Sequence, residues 1–191
     1  MGRSDTTSAV VDKILGLLAG GTLIATALLA PNAIQALDKP LKRYFDKLDE
    51  RARGREYKRL LVYMKGQNLV KFSTGGYEHG IKLTQKGRSR VDRVNFASLE
   101  ISKPKIWDKT WRIIFFDIPE SNKNNRDQFS KKIKALGFVR LQRSVWVHAF
   151  PCQHEIGLVA NHYNVEPYVT YIETGHIENE TKLKTKFSFS L

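Results

Sequence analysis

An α+β fold in two parts is predicted for this 191-residue chain, and three observations predict it. Residues up to Val94 read as helices, then a glycine-containing hairpin, then a last helix, the order of a winged helix-turn-helix. From Trp107 onward, apolar strands and amphipathic helices follow one another as β-α-β-β-α-β, the ferredoxin-like arrangement. The charge is uneven. Of the formal +13, residues 1–94 hold 18 Lys/Arg against 9 Asp/Glu, while residues 95–191 hold 14 against 10. The expected division is a basic winged-helix part over residues 1–94, a linker over 95–106 that contains Pro104, and a ferredoxin-like part over 107–191.

The N-terminal elements follow from apolar spacing. Val11–Gly20 and Thr22–Leu37 are expected as two apolar helices separated at Gly20-Gly21. Pro40–Arg53 is expected as a third, because Leu41, Tyr44, Phe45 and Leu48 fall at i, i+3, i+4 and i+7. In Arg55–Gly66 the same spacing puts Tyr57, Leu60, Leu61 and Met64 in one buried stripe and leaves cations for the other faces, with Gly66 as the stop. Leu69–Ser73 and Ile81–Leu83 are expected to pair as a hairpin through Thr74-Gly75-Gly76, and Thr84 to cap a helix over Gln85–Val94.

The second half is read in the same way. Trp111–Asp117 is a strand, Ser121 is expected to cap a helix ending at Leu136, and Gly137 to terminate it. Phe138–Gln142 and Val145–Phe150 are strands, a helix follows Pro151 to about Tyr163, and Val165–Glu173 is the last core strand. The alternation of Phe187, Phe189 and Leu191 predicts one more strand in the tail.

Composition narrows the chemistry. The single cysteine, Cys152, forbids an internal disulfide and fits a reducing cytoplasm. Neither a paired-cysteine zinc motif nor a phosphate-binding glycine loop is present, and the five histidines are scattered. A basic N-terminal half points to a polyanion. The uncharged run Ile14–Leu37 is long enough to span a bilayer, so a membrane tether through Ile14–Ala30 is an alternative to two buried helices. Its internal glycines and Pro31 favour the buried helices.

Several motifs in the second half then align with a known family. Trp111-Arg112-Ile113-Ile114-Phe115-Phe116-Asp117-Ile118-Pro119-Glu120, Gly137-Phe138, Leu141-Gln142-Arg143-Ser144-Val145-Trp146-Val147 and Pro151-Cys152 with Glu155-Ile156 resemble the Cas2-like domain of PaaX-type transcriptional repressors. The first motifs also resemble Cas2, the small CRISPR-associated protein. Lys82-Leu83-Thr84-Gln85-Lys86-Gly87-Arg88 resembles the wing exit of winged-helix regulators. The resemblance implies a ferredoxin-like dimerisation domain behind a winged helix, and two functions: a DNA-binding repressor, or a nuclease holding magnesium on Asp117 from each of two subunits.

The repressor reading makes double-stranded DNA and a second copy of the chain the partners, with no cofactor. Its expected DNA contacts are Arg55, Lys58, Arg59 and Lys65 on a recognition helix and Lys71 and Lys82 on the hairpin, beside Tyr77 and His79. Its expected dimer interface is Trp111, Ile113 and Phe115 on one sheet face, with Phe187 and Phe189 from the tail. Magnesium on Asp117 belongs only to the alternative, a metal-dependent endonuclease.

Overall fold

The computed structural model describes residues 3–20, 40–75, 78–178 and 180–187. The chain divides into two units, Met1–Ala97 and Ser98–Leu191, and its mixture of helix and sheet is α+β.

In the first unit, α1 (Arg3–Ala19) begins eight residues before the expected Val11. Its early turns carry Ser8, whose apolar spacing is poor, yet Arg90 holds them: its guanidinium donates to Ser8 Oγ at 2.9 Å and pairs with Asp12 at 2.6 Å. Val10, Val11, Ile14 and Leu15 are buried, so the start of the suspected membrane segment packs in a protein core. The expected helix Thr22–Leu37 lies outside the described residues. Among the described residues no helix is long and apolar enough to cross a membrane.

The expected helix Pro40–Arg53 is not continuous. Helix α2 (residues 40–45) gives way to a turn, and α3 (Glu50–Gly66) starts afresh because Asp49 caps it, its Oδ1 accepting from the Ala52 N–H at 2.7 Å. Gly54 lies inside α3 rather than between helices. The buried stripe is Tyr57, Leu60 and Met64, facing Leu41 and Phe45 of α2 in one core. Helix α3 ends at Gly66, the expected stop, and the chain turns away through Asn68, at φ 55°.

Strands β1 (Val70–Gly75) and β2 (Glu78–Leu83) pair antiparallel, with Val70 opposite Leu83 and Phe72 opposite Ile81. Helix α4 (Gln85–Ala97) follows Thr84, which caps it as expected. The Thr84 hydroxyl accepts from the Gly87 N–H at 3.0 Å and donates to the Asn68 carbonyl at 2.6 Å, tying the end of α3 to the hairpin and to α4. Only glycine fits at 87, because a Cβ there would lie 2.0 Å from the Leu69 carbonyl oxygen.

In the second unit the sheet contains β3 (Trp111–Phe116), β4 (Val139–Gln142), β5 (Val145–His148) and β6 (Val169–Thr174), in the order β4-β5-β3-β6, every neighbour antiparallel. Helices α5 (Lys123–Ala135) and α6 (Gln153–His162) complete the β-α-β-β-α-β order. Ser121 does not cap α5; it lies in a 3-10 turn over Glu120–Asn122. Gly137 does end the helix, at φ 95°, with Phe138 N–H donating to the Ile133 carbonyl at 3.2 Å and Gly137 N–H to Lys134 at 3.1 Å. The last strand starts four residues later than expected, because Glu166–Tyr168 form a 3-10 turn around Pro167.

The two faces of β3 have different fates. Ile114 and Phe116 are buried, and the Phe116 ring meets Phe129 of α5 edge-on at 5.2 Å. On the opposite face, a helix that the sequence reading missed, α7 (Glu180–Lys186), brings Leu183 onto Trp111, Val147 and Ala149. Trp111 is thereby fully buried in its own unit, and Phe187 packs against it with ring centroids 5.9 Å apart. The expected tail strand is corrected accordingly: residues 180–186 are helical, and the chain beyond Phe187, with Phe189, lies outside the described residues.

Arg112 is buried beside this core. Its guanidinium donates to Asp108 at 2.5 and 2.7 Å, to Glu173 at 3.2 Å and to the Ala149 carbonyl at 3.0 Å. The buried charge is compensated by two carboxylates and by backbone oxygens, as a buried cation requires.

Candidate nucleic-acid interface

Tyr57, Leu60 and Met64 fix how α3 is rotated. At about 100° per residue, the opposite side of the helix carries Arg51, Arg55, Lys58, Val62 and Lys65 within an arc of roughly 80°. All five are exposed. Arg51, Arg55 and Lys58 make no hydrogen bond or ion pair among the described residues, and Lys65 Nζ stands 5.3 Å from the centre of the Phe72 ring in β1. Four cations and no carboxylate on one arc make a local positive potential that an anion offsets.

Arg59 stands apart from this group. It lies at the edge of the arc, its Nε donates to Glu56 Oε2 at 2.8 Å, and it approaches Thr7 Oγ1 at 3.4 Å. Glu56 holds it as an intrahelical pair, which an i, i+3 spacing allows. Arg51, by contrast, belongs to the arc and was missed, because the helix start was placed beyond it.

On the hairpin, Lys71 and Lys82 occupy directly opposed positions in the antiparallel register, and both are exposed. Like charges so placed repel. The side chains of Tyr77 and His79, expected beside them, lie outside the described residues. Helix α4 adds exposed Lys86, Arg88 and Arg93, whereas Arg90 is engaged with Asp12.

Asp117 leaves the end of β3 and is exposed; its N–H donates to the Tyr168 carbonyl at 3.1 Å. It borders an open cavity of about 480 Å³ with Glu120, Arg126, Asp127, Arg140 and Arg143. Glu120 pairs with Arg126 at 2.9 Å, and that guanidinium holds its carboxyl below the usual carboxylate range. Among the described residues no three His, Cys, Asp or Glu side chains come together as metal ligands would. Asp117 lies in the second unit, on none of the elements that carry the α3 and hairpin cations, and Asp117→Ala is expected to leave any duplex affinity within about twofold. A filter-binding titration checks this; a tenfold loss would move the interface to the second unit.

Two other groups with chemical potential are structural. Cys152 is buried, and burial pushes its thiol up to about 12, so it remains protonated. His148 is buried between the Phe138 and Phe150 rings, accepts from the Phe150 N–H at 3.1 Å, and burial lowers its pKa, keeping the imidazole neutral.

The expected dimer residues divide. Trp111 and Phe187 serve their own unit, as described above. Phe115 is 42% exposed and Ile172 43% exposed on the same sheet face, with half-buried Ile113 and Val145 beside them. Ile172 was not expected there. Its place is set by its register opposite Ile113.

Among curated proteins nothing matches the chain. Residues 104–185 match the family model described as the PaaX protein central Cas2-like domain, a span that takes in every strand and helix of the second unit's sheet layer. Over residues 104–185 the chain is thus similar to the central Cas2-like domain of the PaaX-type family.

Proposed function

We propose that this protein is a homodimeric, sequence-specific DNA-binding transcriptional regulator of the PaaX type, with a winged helix-turn-helix that reads DNA and a ferredoxin-like domain that sets dimer geometry. The observation that carries the reading is the cationic arc of α3, directly opposite that helix's buried stripe and followed by a hairpin with Lys71 facing Lys82. A helix of this kind fits the major groove, and a hairpin immediately after it is placed to reach the adjacent backbone. The family domain supports the regulator class. The β4-β5-β3-β6 order supports the ferredoxin-like arrangement, and the exposed Phe115 and Ile172 support pairing through the sheet.

The reading is tested by selection from a random duplex library with the purified full chain, followed by footprinting of the enriched sequences. A dimer that binds by two equivalent helices is expected to enrich an inverted repeat whose half-sites lie about one helical turn, or a multiple of it, apart. Enrichment of nothing above background contradicts the proposal.

A further inference from the structure

We infer that Val62 is a specificity-determining residue: its isopropyl group meets the C5-methyl of a thymine in the major groove, so each half-site carries an A·T pair facing the C-terminal half of α3. The inference rests on the DNA-binding reading and adds to it which base is read and by what.

The case begins with exposure. Val62 is 72% exposed, while Tyr57, Leu60 and Met64 of the same helix are buried. A single exposed apolar side chain is ordinary on a protein surface. The neighbours of this one are not ordinary. On the helix surface its nearest companions toward the N-terminus are Lys58 and Arg59, one turn back, and toward the C-terminus Lys65, one turn on; Arg55 lies two turns back on the same line. Val62 is thus the one apolar residue within the cationic arc, in its C-terminal part between Lys58 and Lys65. Valine also contributes nothing to α3 that another residue would not do better, since β-branching lowers helix propensity and the side chain packs on no core.

The surrounding charge selects the occupant. A partner that satisfies Lys58 and Lys65 at once is a polyanion, and any polyanion seated on both covers Val62 between them. The largest apolar group a duplex offers in its major groove is the thymine methyl; cytosine presents only a C5–H there, and the purine edges present hydrogen-bond donors and acceptors. Lysine and arginine on either side suit phosphates or guanine edges. Valine, which neither donates nor accepts, leaves a donor or acceptor unsatisfied against a purine edge and gains less contact against a cytosine C5–H than against the thymine methyl. Discrimination therefore comes from one methyl contact and from the desolvation cost of the wrong base.

The test uses the full chain and the duplex enriched by selection. Each thymine in a half-site is replaced in turn by deoxyuridine, which removes only the methyl group. One position per half-site is expected at which the replacement weakens binding three- to tenfold. At that position Val62→Ala is expected to bind thymine and uracil duplexes equally, with an unchanged thermal midpoint. Indifference of the parent protein to every uracil replacement overturns the inference and leaves the DNA-binding reading intact. So does a Val62→Ala protein that still distinguishes thymine from uracil at the sensitive position. A full chain that binds no duplex overturns both, and the selection experiment identifies that case before any uracil is introduced.

Discussion

Replacing Arg55, Lys58 and Lys65 together with glutamate is expected to lower duplex affinity by about a thousandfold or more, because three counterion-releasing contacts are lost and three repulsive charges take their place. The fold should survive. The three side chains are exposed on the side of α3 away from Tyr57, Leu60 and Met64, and surface substitutions of this sort change stability by about 0.5 kcal/mol each or less. Far-ultraviolet circular dichroism and the thermal midpoint serve as the control. Arg59→Ala is the informative companion. Its guanidinium is already held by Glu56, so it should lose far less binding than any single change within the arc. A triple variant that binds duplex as the parent does would mean that α3 is not the reading helix.

The second large effect concerns assembly. Phe115→Asp combined with Ile172→Asp is expected to convert a dimer at micromolar concentration into a monomer, as read by light scattering of the full chain. The substituted positions lie on adjacent strands of one face, since Ile113 pairs with Ile172 and Phe115 with Thr170. Two carboxylates on that face would be desolvated without partners in an apolar interface. In the isolated unit both side chains are already substantially exposed, so the variant should remain folded. Trp111→Asp is the wrong experiment for this purpose: Trp111 is fully buried beneath Leu183 and Phe187, and its loss would unfold the unit rather than separate two copies. A parent protein that is monomeric at all accessible concentrations would refute the dimer. A double variant that remains dimeric would place the interface elsewhere.

How much of this was readable beforehand depended on whether the deciding force was local. Gly137 ended its helix as expected because the left-handed geometry it supplies is a property of one residue. Thr84 capped α4 for a similarly local reason, a hydroxyl three residues ahead of the Gly87 N–H. The α2–α3 boundary was misplaced because Gly54 looked like a break, whereas Asp49, which satisfies an otherwise unpaired helix N–H, decides where α3 begins. That shift concealed Arg51 and with it one cation of the arc. The tail was misread for a different reason. Alternation through Phe187 and Phe189 suggests a strand, but the seven-residue helix before it buries one apolar residue, Leu183, and so carries almost no periodic signal. Periodicity correctly grouped Trp111, Ile113 and Phe115 on one face. It could not say that α7 covers the Trp111 end and leaves the Phe115 end exposed, because that cover comes from residues about seventy positions away.

The central claim is that this chain meets duplex DNA through a cationic surface made by α3 and the hairpin. The most direct measurement is the affinity of the full chain for its selected duplex as a function of salt. Arg51, Arg55, Lys58 and Lys65 on α3 and Lys71 and Lys82 on the hairpin are six exposed cations per chain. If most of them reach phosphates, the logarithm of the affinity should fall against the logarithm of salt with a slope of about −5 per chain, or about −10 for a dimer engaging both half-sites. The slope should fall in magnitude by about one for each phosphate-contacting lysine replaced by alanine. Affinity that is independent of salt, or a slope left unchanged by removing Lys58, Lys65, Lys71 and Lys82 together, would contradict the claim.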